Sequence, residues 1–188
     1  MSLDIPLIPI SHLEGHLCSN LIDNKMNYPY ACLIVSGGHT QIWIVNKDMN
    51  YEIVSNTVDD AAGEAFDKGA RILGLKYPGG PEIENKAKNG KLNKYSFTIP
   101  IVKSNPLNFS FSGLKTSLLY KVQKISILDN EINDLCASYQ ESILDTLFNK
   151  LILVLDKYDI DNVAIVGGVS VNKRFRHKAE KLWAKLSL

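Results

Sequence analysis

His12 and His16 stand at positions i and i+4 of a short apolar-polar stretch, HLEGHLCSNLI. On a helix their imidazoles share one face, with Cβ atoms about 5 to 6 Å apart, close enough to grip one divalent metal ion. Two nitrogens begin a metal site without completing it, and the sequence offers no evident third ligand. The order also differs from the His-Glu-x-x-His of zinc peptidases, because Glu14 follows the first histidine by two positions and Gly15 weakens the helix. A pair of surface histidines is the competing reading.

Two glycine turns suggest a different chemistry. Ser36-Gly37-Gly38-His39-Thr40 offers consecutive backbone N–H groups free of side-chain bulk, which suits wrapping a phosphate, although Gly-Gly between strands also makes a plain hairpin turn. Gly167-Gly168 ends an apolar strand and opens a helix that carries Asn172, at the strand terminus where α/β sheets hold ligands. It matches neither the dinucleotide fingerprint nor the Walker loop. Its weight comes from the expectation that both turns face one edge of one sheet.

Asp67 can accept bonds from two ribose hydroxyls, or it can form an i, i+4 pair with Arg71 worth about 0.3 to 0.5 kcal/mol. Tyr77-Pro78-Gly79-Gly80-Pro81 reads as an ordinary loop or as a lip over a ligand, with Glu84 one helical turn beyond Gly80. In FSFSGLKT, Ser110, Ser112 and Lys115 mark a helix start with a cation behind it, and Ser112 is expected as the N-cap. The final helix carries Lys173, Arg174, Arg176, Lys178, Lys181 and Lys185 against Glu180 alone. Such a run is a solvated face, or a patch that touches phosphates without reading sequence.

The elements that must position these residues follow from periodicity. Ser11 is placed to cap a helix over 12–22. ACLIVSGG, TQIWIVN and YEIVS alternate as β-branched and aromatic runs, predicting a meander of three strands over 31–55. Asp59 and Asp60 are expected to cap a helix reaching Leu73, whose inner face is Ala62, Phe66, Gly69, Ala70 and Leu73. Residues 76–111, rich in Pro, Gly, Asn and Lys, read as loops and short pieces, and helical signal returns at GLKTSLLYKV. Leu135, Tyr139, Ile143, Leu147, Leu151 and Leu155 form the stripe of a long helix over 131–158. NVAIV is a short buried strand, and a last helix begins near Val171. The order predicts an α/β fold with a mixed sheet whose first three strands are antiparallel, the ribonuclease-H-like arrangement.

Bulk composition narrows the class. The 188 residues are 45% hydrophobic and 22% charged, which suits one or two compact units and excludes collagen, disorder and disulfide scaffolds. A net charge of +1 gives no bulk attraction to nucleic acid or membranes, yet residues 1–60 hold two lysines against seven acids while 61–188 hold nineteen basic against thirteen acidic residues. Cys18, Cys32 and Cys136 form no Cys-x-x-Cys pair, as in a reducing compartment. No stretch matches a membrane span or a secretory leader, so a cytoplasmic chain is expected.

HLEGHL, IVSGGHTQIWIV, DDAAGEAFDKGARILGLKYPGGPEIE, FSFSGLKTS, ASYQESILDTL and VAIVGGVSVNKRFR, in this order, closely resemble the TsaD family over nearly the whole chain. These are bacterial tRNA N6-adenosine threonylcarbamoyltransferases, formerly labelled O-sialoglycoprotein endopeptidases. The resemblance implies a ribonuclease-H-like lobe of the actin, Hsp70 and sugar-kinase (ASKHA) superfamily. It also implies transfer of threonylcarbamoyl from threonylcarbamoyl-adenylate to N6 of the adenosine 3′ of the anticodon, in tRNAs reading ANN codons. By the same resemblance His12 and His16 ligate one divalent metal, iron(II) or else zinc. Ile34, Val35, Ser36, Gly37 and Gly38 line the phosphate and carbamoyl end of the substrate, and Asp67, Gly80 and Asn172 meet its ribose and adenine. Glu84, at a position where the family varies, joins that set. ATP or AMP, tRNA, and TsaB-like and TsaE-like helper proteins are the implied partners.

The family's first phosphate loop and most of its N-terminal lobe would precede Met1, and the aspartate that completes its metal site would follow Leu188. The expected division is therefore a metal-motif helix with its lead-in over 1–30 and an incomplete C-terminal lobe over 31–188, carrying an insertion at about 76–130. Such a piece is expected to be inactive alone. Two other readings stay open: a metalloprotease using His12, His16 and Glu14, and a non-catalytic nucleotide-binding or partner-docking module.

Overall fold

A computed structural model of the chain describes residues 6–23, 26–125 and 128–186. Residues 1–5, 24 and 25 of the expected 1–30 segment, residues 126 and 127 of the expected insertion and the last two residues lie outside the described residues. The elements are α1 (His12–Asp23), β1 (Tyr30–Val35), β2 (Thr40–Val45), β3 (Tyr51–Asn56), α2 (Ala62–Ile72), α3 (Gly79–Ala87), α4 (Ser112–Val122), α5 (Leu128–Tyr158), β4 (Val163–Val166) and α6 (Lys173–Leu186). The strands form one sheet in the order β3-β2-β1-β4. β1 pairs antiparallel with β2, and β2 with β3, the second ladder carrying a bulge where Val54 is the extra residue. β4 lies parallel to β1, with Ile34 opposite Val166.

Burial on both faces explains the unbroken apolar run of β1. Ala31, Leu33 and Val35 face the helices, while Tyr30, Cys32 and Ile34 face the α1 side with Leu17. Burial pushes the Cys32 thiol up to about 12. On the thicker side the α5 stripe Leu135, Tyr139, Ile143, Leu147, Leu151 and Leu155 is buried against the sheet and α2. Tyr139 donates to the Ala65 carbonyl at 2.9 Å, and a Cβ on Gly69 would stand 2.3 Å from the Tyr139 ring. The helical spacing of α2 therefore serves one close approach.

Several local expectations are corrected. α3 is a helix of nine residues within the segment read as loops, since Pro78 takes the N-cap position and Ile83 and Ala87 are buried one turn apart. A 3-10 turn over Gly168–Val171 precedes α6, so Val171 is outside the helix. Asp59 does not cap α2. Its carboxylate instead accepts the Phe111 N–H at 2.7 Å, the Ser112 N–H at 3.3 Å, and the Ser110 and Ser112 hydroxyls at 2.5 and 2.8 Å. Ser112 is thus the first residue of α4 rather than its cap, and an acid from another element takes over the orphan donors. Asp60 likewise turns away, pairing with Lys68 at 2.6 Å and Lys115 at 3.5 Å. Ser11 behaves as expected, its hydroxyl accepting the Glu14 N–H at 3.5 Å.

Partial burial opposes the charge of Asp59, but the bonds from Ser110, Phe111 and Ser112 outweigh it and hold the carboxyl below its ordinary value. A carboxyl lowered in the folded state stabilises above its unfolded pKa, and that contribution fades as pH falls through the folded value. Asp59→Asn is therefore expected to cost about 1 to 2 kcal/mol at pH 7, the scale of a lost cap. In chemical unfolding, the gap between variant and parent should narrow as pH drops below about 4.

Candidate functional site

β1 and β4 run parallel, so their carboxyl ends share one edge of the sheet, and both glycine turns emerge there. The exit of β4 touches the end of β1 directly. Gly167 has φ +102, and a Cβ on it would lie 2.3 Å from the Val35 carbonyl oxygen, so glycine is required on two counts. Gly63 at the start of α2 closes the third side. Its N–H donates to the Ser36 carbonyl at 3.2 Å, and a Cβ there would meet that oxygen at 2.7 Å.

Above this edge opens a cavity of about 170 Å³. The β1–β2 turn contributes Gly37, and α2 contributes Gly63, Phe66 and Asp67. Pro78, Gly80, Pro81 and Glu84 come from α3 and its cap, and Gly168, Val169, Val171 and Asn172 follow β4. Phe66, Pro81, Val169 and Val171 give apolar walls fit for a flat ring; Asp67 and Glu84 are acceptors for hydroxyls; the glycines let a phosphate approach the backbone. Gly37, Gly80 and Gly168 would each project a Cβ into space clear to 4 Å.

Gly37, Asp67, Gly80, Glu84 and Asn172, assigned to the substrate in the sequence, thus surround one space, together with Gly168 of the second glycine turn and Pro78 and Pro81 of the lip. The other residues assigned to the substrate do not line it. Ile34 and Val35 are fully buried on opposite faces of β1. Ser36 spends its hydroxyl on the His39 N–H at 3.0 Å, and Gly38 is exposed in the turn, outside the lining. Gly63, Phe66, Val169 and Val171 join the lining without having been singled out for it in the sequence. Only the Gly of DDAAGEAF gave a hint, since a glycine at a helix start marks a close backbone approach.

The same residues also hold elements together. Asp67 accepts the Gly79 N–H at 2.7 Å, joining α2 to α3, and among the described ion pairs it is not matched with Arg71. Glu84 accepts the Lys173 N–H at 2.9 Å, joining α3 to the start of α6. Asn172 is the N-cap of α6, its carbonyl accepting the Phe175 N–H at 2.9 Å while its amide donates to Gln140 at 2.8 Å.

The histidine pair lies elsewhere. α1 packs through Leu17 on the face of the sheet opposite α2 and α3, and neither histidine lines the cavity. Their rings stand 4.7 Å apart, His12 exposed and His16 partly covered. Among the described residues no group of three or more His, Cys, Asp or Glu side chains converges in a way that could hold a metal. Glu14, the acid a peptidase would need, accepts a bond from the Tyr51 hydroxyl and is held toward the sheet.

The fold of a solved full-length HypF, crystallised in a phosphate- and nucleotide-bound form, covers 99% of this chain and 39% of its own, with TM-score 0.70 at 14% identity. A dehydratase activator from Clostridium difficile covers 94% and 57%, with TM-score 0.52 at 17% identity. The molecule shares the fold of these proteins, α/β with a mixed four-stranded sheet. The family model for TsaD, tRNA N6-adenosine threonylcarbamoyltransferase, matches residues 1–188, and the chain belongs to that family. Relatives bearing the transferase name include those of Thermosipho africanus, 45% identical over 100% of this chain and 57% of the relative, and Thermotoga neapolitana, 45% identical over 95% and 54%. The chain spans little more than half the length of these relatives.

The two glycines of the α3 start should separate fold from site. A Cβ at Gly79 would stand 2.6 Å from the Asp67 Cα and 2.7 Å from the Ala70 Cβ, whereas Gly80 faces open space. Gly79→Ala is expected to lose about 1 to 3 kcal/mol in urea unfolding, and Gly80→Ala to lose none.

Proposed function

We propose that this chain supplies the adenylate-binding wall of a tRNA N6-adenosine threonylcarbamoyltransferase. The observation that supports it is the meeting of Gly37, Asp67, Gly80, Glu84 and Asn172, drawn from separate elements, around one cavity at the carboxyl ends of β1 and β4. In this reading the backbone at Gly37 and Gly168 receives the phosphate, Asp67 and Glu84 accept ribose hydroxyls through the oxygens not bound to Gly79 and Lys173, and Phe66 and Val171 flank the base. The adenosine N6 attacks the carbamoyl carbonyl of threonylcarbamoyl-adenylate. A C–N bond forms, the C–O bond to the phosphate breaks, AMP departs with the electron pair and N6 releases a proton. The work of this wall is positioning, which lowers the barrier by fixing carbonyl and amine in register.

His12 and His16 fit a two-nitrogen hold on one divalent metal, with iron(II) or zinc both suited to imidazole. A metal bound there supplies Lewis-acid polarisation of a carbonyl. tRNAs reading ANN codons are the acceptors in this reading, with TsaB-like and TsaE-like proteins as helpers. No helix among the described residues is long and apolar enough to cross a membrane, in keeping with cytoplasmic work on tRNA.

Gly37→Val tests the cavity. Its side chain enters clear space, so the unfolding profile should hold while titration calorimetry shows AMP affinity falling at least about tenfold, one lost phosphate contact being worth about 1.4 kcal/mol or more. Unchanged affinity would remove the turn from the site. The histidine pair should retain zinc substoichiometrically after gel filtration, because two imidazoles leave most of the ion hydrated, and His16→Ala should retain less still. Stoichiometric zinc that survives a chelator would refute a two-ligand site.

A further inference from the structure

The basic run of α6 divides into two rows. Arg174 and Lys178 turn inward, Arg174 gripping the buried Glu141 of α5 through Nε at 2.8 Å and Nη2 at 2.9 Å, and Lys178 joining Glu141 and Asp145. Burial opposes the charge of Glu141, yet these two cations hold its carboxyl below the ordinary value. Lys173, His177 and Lys181, spaced by four, are exposed and have no ion-pair partner among the described residues. The outward row runs about 12 Å along the helix.

Between this row and the end of α3 lies a second cavity, of about 360 Å³. Lys88, Lys173, Arg174 and His177 surround it, and Glu84 is the one carboxylate in its lining. Glu84 also lines the first cavity, so it forms the wall between the two, with one oxygen already held by the Lys173 N–H. The local field is therefore positive although the chain as a whole carries only +1.

We propose that this α3–α6 groove holds the phosphate backbone of the RNA whose adenosine is modified, beside the adenylate in the neighbouring cavity. The inference rests on reading the chain as a tRNA-modifying enzyme. A single free anion would not need a row extending to Lys181, and a second nucleotide would need flat apolar walls that Ala87 and Leu92 do not supply. With no Phe, Tyr or Trp in its lining, the groove contacts phosphates and leaves base identity unread.

The test is fluorescence anisotropy with a labelled RNA hairpin carrying an adenosine 3′ of its anticodon triplet, titrated with the full chain at several salt concentrations. Each lysine removed should lower the slope of log affinity on log salt by about 0.7 to 0.9, which is roughly five- to eightfold in affinity near 0.1 M salt. Lys88→Gln/Lys173→Gln is expected to bind the hairpin about 25-fold or more weakly, with AMP affinity by calorimetry unchanged. Lys103→Gln/Lys124→Gln, the same charge change at exposed sites outside the groove, should stay within about twofold of the parent. Equal losses in the two double variants, no binding of the hairpin by the parent, or loss of AMP binding with hairpin binding intact would each overturn the groove. Groove-dependent hairpin binding without AMP binding would uphold it and instead sink the adenylate reading of the first cavity.

Discussion

Everything at the candidate site depends on how closely the end of β4 passes the end of β1. The two strands are separated by more than a hundred residues of chain, yet they pair in parallel and leave the sheet at the same edge. That exit works because residue 167 is glycine: its φ is positive, and the Val35 carbonyl occupies the place of a Cβ. Gly63 repeats the device against the Ser36 carbonyl. Two close backbone approaches bring the β1–β2 turn, the start of α2 and the 3-10 turn after β4 around one space. The glycines that make contact build the cavity; those that face open space, Gly37, Gly80 and Gly168, leave room for a ligand.

The polar residues around the cavity join the elements that surround it. Asp67 ties α2 to α3, Glu84 ties α3 to α6, and Asn172 both caps α6 and reaches Gln140 on α5. The bonds to Gly79, Lys173 and Phe175 each satisfy a donor at a helix start that would otherwise be orphaned. These joints fix the starts of α3 and α6 relative to the sheet edge, so a ligand meets a preformed wall. It also means that removing any of these side chains disturbs geometry as well as binding, whereas filling a glycine's open space disturbs binding alone.

Charge is arranged with the same economy. The acids of α5 neutralise one row of the basic α6 and leave the other row beside the second cavity. Asp59, ahead of α2, serves the start of α4 instead, and Asp60 gathers Lys68 and Lys115. Glu14 turns to Tyr51 and away from any part beside the histidines. In each case a residue placed by sequence neighbourhood finds its partner on another element.

The sequence by itself determined the fold class, the three-strand meander, the faces of α2 and α5, and the two glycine turns, because period and turn chemistry are local properties that survive without tertiary contacts. It also marked Gly37, Asp67, Gly80, Glu84 and Asn172, which the structure gathers, and grouped with them Ile34, Val35, Ser36 and Gly38, which lie in or beside the same strand but off the cavity. What only the tertiary structure decided is direction and partnership. Alternation along β1 sends Ile34 and Val35 into opposite cores, a short helix forms at Gly79–Ala87 where proline and glycine suggested loop, and capping passes from Ser112 to a distant Asp59. A carboxylate bonds whichever donors the packing brings within 3 Å or so, and neighbours along the chain do not fix which those are.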